Sequence, residues 1–111
     1  MNHIPLDLAA AELHAAAALA DHHAGGDLFS PWTALSGQLR LVAAGLDPAP
    51  VANAQPRPTA GSHIGAALDR LDDLDAESRP TDLDFWRRHV KHLHAQATRF
   101  EGRTEMPRGN L

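Results

Sequence analysis

The chain has 111 residues, a formal net charge of −4 at pH 7, eight histidines and no cysteine. The lack of cysteine excludes disulfides, thiolate nucleophiles and cysteine-ligated zinc or iron–sulfur centres. The negative balance argues against a protein whose whole surface grips nucleic acid, and no run reaches the roughly 20 uncharged residues of a membrane-spanning helix.

The start of the chain does not resemble a secretion signal. It has no basic region, and Asp7 and Glu12 interrupt its apolar run. We therefore expect a cytoplasmic protein. Nine arginines against one lysine, together with abundant alanine, are typical of the codon usage of a GC-rich bacterial genome.

The first predicted helix covers about 6–24, because Pro5 suits a first turn and Gly25-Gly26 ends the pattern. Its apolar residues occupy two sides, one formed by Leu6, Leu13, Ala17 and Ala20 and the other by Leu8, Ala11, Ala15 and Leu19. A helix with two apolar sides needs neighbours on both. This favours either a central position in a bundle or a contact with a second copy.

The second predicted helix covers 31–46 and begins with Ser30 as N-cap and Pro31 in the first turn. It carries an apolar stripe at alternating steps of three and four, formed by Trp32, Leu35, Leu39, Val42 and Leu46. Residues 47–60 contain four prolines and predict a loop. Such a loop spans about 45 Å when extended, so helix order and exchange between subunits stay open.

The third predicted helix covers about 60–77 and the fourth about 82–100, separated by the short turn Ser78-Arg79-Pro80. Thr81 is a suitable N-cap for the fourth helix. The inward positions are Ile64, Ala67, Leu68, Leu71 and Leu74 in the third helix and Trp86, Val90, Leu93, Ala97 and Phe100 in the fourth. Residues 101–111 predict a fraying, flexible tail.

These patterns together predict an all-α fold with a single domain over residues 1–100. Two apolar stripes and two short turns are typical of helices packed side by side as hairpins. We expect a four-helix bundle of two helical hairpins that are joined by the Pro-rich loop over 47–60.

Histidines are candidates for a metal site. His89 and His92 share one side of the fourth helix, and His14 and His22 share one side of the first. If these two helices are antiparallel neighbours, the rings meet, and imidazoles from two helices hold a divalent ion such as zinc. No His-Glu-x-x-His or similar motif is present. The alternative is a set of surface histidines and no cofactor.

An acidic run at the end of the third helix opposes the helix dipole. It includes Asp72, Asp73 and Asp75, and the short turn brings Arg87 and Arg88 of the fourth helix close to it. We therefore predict intramolecular acid–base contacts, with a basic protein partner as the alternative.

Two phenylalanines lie outside the apolar stripes. Phe85 is beside the stripe of the fourth helix and Phe29 is in the loop before the second. We interpret both as widening the core, whereas exposure would mark an interaction patch. The candidate interface set is therefore Phe85, Arg87, Arg88, Asp72, Asp73 and Asp75.

No catalytic constellation is apparent, so we expect a protein that is not an enzyme. The leading hypothesis is a small non-catalytic interaction or regulatory module that self-associates, a homodimer being the simplest case. The first alternative is a bundle that binds a metal or small ligand through histidines. A less favoured alternative is nucleic-acid binding through the basic side of the last helix, formed by Arg87, Arg88, Lys91, His94 and Arg99.

Overall fold

A computed structural model describes residues 4–47, 54–73 and 82–105. They form four helices, α1 (Ile4–Ala24), α2 (Pro31–Leu46), α3 (Ala60–Asp72) and α4 (Leu83–Glu105), and these residues include no strand. The predicted all-α fold and four-helix bundle are confirmed. None of the described helices has the length and apolar content needed to cross a membrane.

The helix ends match the expected turn chemistry where the structure describes them. Ser30 caps α2, since its hydroxyl oxygen accepts a hydrogen bond from the backbone N–H of Trp32 over 3.1 Å. Thr59 caps α3, because its hydroxyl oxygen accepts a hydrogen bond from the Ser62 backbone N–H. The Ser62 hydroxyl oxygen accepts one from the Thr59 backbone N–H, which completes a capping box. The predicted N-cap Thr81 lies outside the described residues.

Two helix ends differ from the sequence prediction. Helix α3 ends at Asp72, with Asp73 as its C-cap, instead of continuing to about residue 77. Helix α4 continues to Glu105, so the first residues of the predicted tail are helical. Residues 106–111 lie outside the description.

The helices form a square in which α1 and α4 are diagonal. Helix α1 packs against α2 and α3, and α4 packs against the same two helices, with no contact between α1 and α4. The condition on which the four-histidine metal site depended, that the first and fourth helices are neighbours, is therefore not met among the described residues.

Helices α2 and α4 run antiparallel, because Gly45 lies beside Trp86 while the ring of Trp32 packs on Phe100, 5.4 Å between centroids. Helices α3 and α4 are also antiparallel, because Gly61 lies beside Glu101 at the other end of α4. The chain after α2 therefore returns along the bundle before α3 begins. The long Pro-rich connection allows this order, which differs from simple up-down-up-down.

The core combines large side chains of α2, α3 and α4 with alanines of α1. Both predicted stripes face inward: all five positions of the first are buried, and in the second Val90, Leu93 and Ala97 are buried while Trp86 and Phe100 are partly so. The fully buried alanines of α1 are Ala9, Ala10, Ala16, Ala17 and Ala20. Small residues let α1 approach both neighbours closely, which explains its two apolar sides.

Candidate functional site

The solvent-facing side of α2 carries almost no charge. Arg40 is the only charged residue among the 16 of this helix, and it turns toward α1, where its guanidinium pairs with Asp21 at 2.6 Å. Hydrogen bonds from Arg40 and then Ser36 lower the pKa of the Asp21 carboxyl. The side of α2 next to α4 is left without a formal charge, which is unusual for an exposed helix.

We call the surface formed by this side of α2 and the adjoining side of α4 the α2–α4 face. Its members are Ala34, Gly37, Gln38, Leu41 and Ala44 from α2, and Phe85, His89, His92 and Gln96 from α4. Leu41 is 62% exposed and Phe85 is 60% exposed. Two large apolar side chains are thus displayed on a surface whose other members are small or neutral.

A groove of about 450 Å³ lies between the two helices on this face. Apolar walls come from Ala34, Leu35, Leu93 and Phe100. Two histidines lie along its rim, where His89 Nε2 is 3.2 Å from Gln38 Oε1 and His92 Nε2 is 3.1 Å from Gln96 Nε2. The residues that line this groove include no Asp, Glu, Lys or Arg.

The interpretation that Phe85 and Phe29 widen the core is wrong. The Phe85 ring packs edge-on against Trp86, 5.0 Å between centroids, but more than half of its surface faces solvent. Phe29 is 96% exposed. Phe85 lies in the first turn of α4 but outside the buried stripe of this helix, because Leu83 occupies the inward position of that turn.

The turn between α1 and α2 displays Phe29 together with Leu28, which is 81% exposed. Asp27 orders this turn, since its carboxylate accepts from the Phe29 backbone N–H at 2.9 Å and its carbonyl from the Thr33 hydroxyl at 2.6 Å. Gly25 and Gly26 have φ angles of +59° and +86°, which lead the chain out of α1.

The α3–α4 side contains part of the predicted acid–base contact. Arg87 Nε donates to Asp72 Oδ1 over 2.8 Å, and this bond raises the pKa of the guanidinium. Asp73 caps α3 and is exposed, Arg88 is exposed, and Asp75 lies outside the described residues. Of the predicted interface set, the structure thus joins one acidic and one basic residue within the molecule.

A buried ion cluster, formed by Glu12, Arg57 and His63, was not predicted from the sequence. Glu12 is 2% exposed and His63 is 3% exposed. The Glu12 carboxylate accepts two bonds from Arg57, at 3.0 and 3.1 Å, and lies 2.7 Å from His63 Nδ1. The cluster joins α1, the segment before α3 and α3 itself.

Two opposing effects act on the pKa of Glu12. Burial disfavours the charged carboxylate and raises the pKa. The hydrogen bonds and charges of Arg57 and His63 favour the charged carboxylate and together lower the pKa by more. The net result is a pKa below the ordinary value. The carboxylate in turn raises the pKa of Arg57. One sequence signal for this cluster was available, since Glu12 is a lone charge within an alanine-rich apolar run.

The predicted metal residues are not brought together. His89 and His92 lie in the α2–α4 groove, whereas His14 and His22 belong to the diagonal helix α1. Among residues 4–47, 54–73 and 82–105, no group of three or more metal-ligating side chains is placed to hold an ion. Metal binding and phosphate binding along α4 stay predictions.

No protein-family model matches this sequence, and comparisons with curated proteins and with solved structures find no similar protein. Information about the function of this protein therefore comes from the surfaces and clusters described above.

Proposed function

We propose that this protein is a non-catalytic interaction module that self-associates through the α2–α4 face. The observation that carries the proposal is the exposure of Leu41 and Phe85, 62% and 60%, on a surface to which α2 contributes no charged side chain other than Arg40, which pairs with Asp21 of α1. Solvated helix surfaces are ordinarily charged, and interface centres are depleted in charge and enriched in aromatic residues.

The small side chains of α2 favour a helix as the occupant of this face. Ala34, Gly37 and Ala44 are all exposed, and a Cβ at Gly37 would meet nothing within 4 Å. A second helix can therefore approach α2 closely. Because α2 contributes no unpaired charge to this face, two copies can bring their α2 helices together about a twofold axis without charge repulsion, in a contact that is complementary to itself.

Burial of the exposed aromatic surface is large enough to matter. A phenylalanine offers about 200 Å² when fully buried, so the exposed part of Phe85 is roughly 120 Å². At about 25 cal/mol per Å², its burial contributes on the order of 3 kcal/mol from each copy. This contribution is set against an association cost of about 4–15 kcal/mol, so a dimer needs the rest of the face as well.

Among its described residues, helix α1 has no uncovered apolar side that would support self-association. Its second apolar side has internal neighbours, because α1 packs against both α2 and α3 and Ala11 is 7% exposed. Self-association is therefore supported by the exposed residues of α2 and α4.

Light scattering coupled to size-exclusion chromatography tests the proposal over a concentration series. We expect a dimer at tens of micromolar, and we expect Leu41→Arg and Ala44→Arg each to shift the protein to monomer. Ala18→Arg is the matched control, because Ala18 is an exposed helical alanine on α1. A wild-type monomer at the highest concentration contradicts the proposal, as does equal loss of dimer in the control.

A further inference from the structure

We propose that Phe29 of each copy inserts into the α2–α4 groove of the other copy and supplies the specific contact of the dimer. This inference rests on the proposed self-association and adds to it a projecting residue and the site that receives it. The projecting residue and the receiving groove belong to different elements, so each is separately testable.

The projecting part is unusually exposed and also ordered. Phe29 and Leu28 are 96% and 81% exposed, adjacent, and carried by a short turn. Asp27 fixes the backbone at Phe29 through the 2.9 Å bond from its N–H, and Ser30 begins α2 immediately afterwards. A turn whose backbone is held in position before binding loses little backbone conformational entropy when the side chain that it carries is buried.

The groove has the size and chemistry to receive a benzyl group. Its volume is about 450 Å³, whereas an apolar cavity of about 150 Å³ already accommodates benzene. Its open walls are formed by Ala34 and the Phe100 ring, with Leu35 and Leu93 buried beneath them, and the lining contains no Asp, Glu, Lys or Arg. The apolar insert therefore displaces no counter-charge and leaves no charged group buried.

The position of the groove favours a reciprocal contact. Pro31, which lines the groove, follows Phe29 by two residues, so the projecting side chain and the receiving groove lie at the same end of the bundle. A twofold axis that runs parallel to the bundle between the two α2–α4 faces places each Phe29 beside the groove of the other copy and keeps Leu41 and Phe85 within the same interface. Both contacts then form together, which is the isologous arrangement of closed dimers.

The area involved is a substantial part of what a stable dimer requires. Two phenylalanine side chains remove about 400 Å² from solvent, at about 200 Å² each. The walls that receive them contribute about half as much, so the two insertions account for somewhat more than a third of a standard interface of about 1,600 Å². The α2–α4 face around Leu41 and Phe85 supplies additional area.

A complementation experiment by sedimentation velocity tests this inference. Phe29→Ala removes the projecting ring, and Ala34→Phe fills the groove from its wall. We expect each variant alone to dimerise about 30-fold or more weakly than wild type, because interface aromatic residues in pockets dominate binding energy. An equimolar mixture should associate more strongly than either variant alone, since Phe29 of one variant still meets the open groove of the other.

The controls separate this inference from the proposed function. Ala18→Phe places the same new side chain on the exposed side of α1 and should dimerise as wild type does. If wild type is monomeric, both proposals fail. If wild type dimerises and Phe29→Ala does so with the same dissociation constant, or the mixture shows no gain, this inference fails while the α2–α4 face remains. Equal melting temperatures of Phe29→Ala and wild type under monomeric conditions verify that the fold is unchanged.

Discussion

Trp86 lies directly against Gly45, in the space that a side chain at that position would occupy. A Cβ at Gly45 would be 2.5 Å from both Cη2 and Cζ2 of the indole. The ring is also held from within α4, because Nε1 of Trp86 donates to Asp82 Oδ2 over 2.7 Å. The last turn of α2 and the first turn of α4 therefore meet as closely as the missing side chain allows.

Replacing this glycine should destabilise the protein although alanine is the better helix former. Gly45→Ala forces the indole to move, and overpacking of this kind costs about 1–3 kcal/mol, against a gain of about 1 kcal/mol in helix propensity. We expect a net loss of up to about 2 kcal/mol in the free energy of unfolding, measured by urea denaturation at a concentration where the protein is monomeric.

Gly37 offers the matched comparison within the same helix. Nothing lies within 4 Å of a Cβ built there. Gly37→Ala should therefore stabilise the monomer by about 0.5–1 kcal/mol. If both substitutions have the same sign, the close approach of Trp86 to α2 is not a determinant of stability.

The buried carboxylate of Glu12 should contribute strongly to stability through its two partners. Glu12→Gln keeps the shape but removes the charge that Arg57 and His63 contact, at 3.0 and 2.7 Å respectively. Removing one member of a buried ion pair costs about 3–5 kcal/mol, and the partial exposure of Arg57 reduces this, so we expect a loss of about 2–3 kcal/mol. Urea denaturation at pH 7 measures it.

An exposed carboxylate serves as the control for that substitution. Asp73 is exposed at the C-terminal end of α3, and Asp73→Asn should change the free energy of unfolding by less than about 0.5 kcal/mol. A loss in Glu12→Gln no larger than in this control would show that the cluster does not stabilise the fold.

The same carboxylate should make stability depend on pH in the acid range. The folded-state pKa of Glu12 is lowered from 4.5, so folding favours its ionised form. Its contribution is fully present above the unfolded pKa and is lost as the pH falls through the lower folded pKa. The stability difference between wild type and Glu12→Gln should therefore shrink as the pH falls below about 4.5. A constant difference down to pH 3 would contradict the shifted pKa.

Helix positions were largely predictable because they depend on local chemistry. Ser30-Pro31 and the three-and-four spacing of the Trp32 stripe are sufficient to place α2, whose predicted limits are those observed. Relations between helices were less accessible. The sequence shows that α1 has two apolar sides, but it does not show that α4 occupies the diagonal, since that depends on the path of the connection from α2 to α3.

The candidate site residues also differ in whether local sequence patterns predict their positions. Phe85 was misassigned because a position beside an apolar stripe is buried or exposed according to which neighbour lies there, and Leu83 fills the inward position instead. The ion cluster required pairing across 45 and 51 residues, from Glu12 to Arg57 and to His63. No local pattern reports such a distance. Asp72 and Arg87 were predictable because they are only 15 residues apart in the chain.

The end of α4 provides a last prediction, since the sequence assigns Glu101 to a flexible tail. In the structure its Oε2 accepts the backbone N–H of Gly61 over 3.1 Å. This N–H belongs to the first turn of α3, where donors lack partners within the helix and negative charge is favoured. Glu101→Ala should therefore lower the free energy of unfolding by about 1–2 kcal/mol. The loss should be smaller for Glu101→Gln, which keeps an acceptor.

Arg99→Ala, at an exposed position on the same helix, is the control. Equal stability of Glu101→Ala and this control in urea denaturation would show that α4 does not anchor α3 through its last turns.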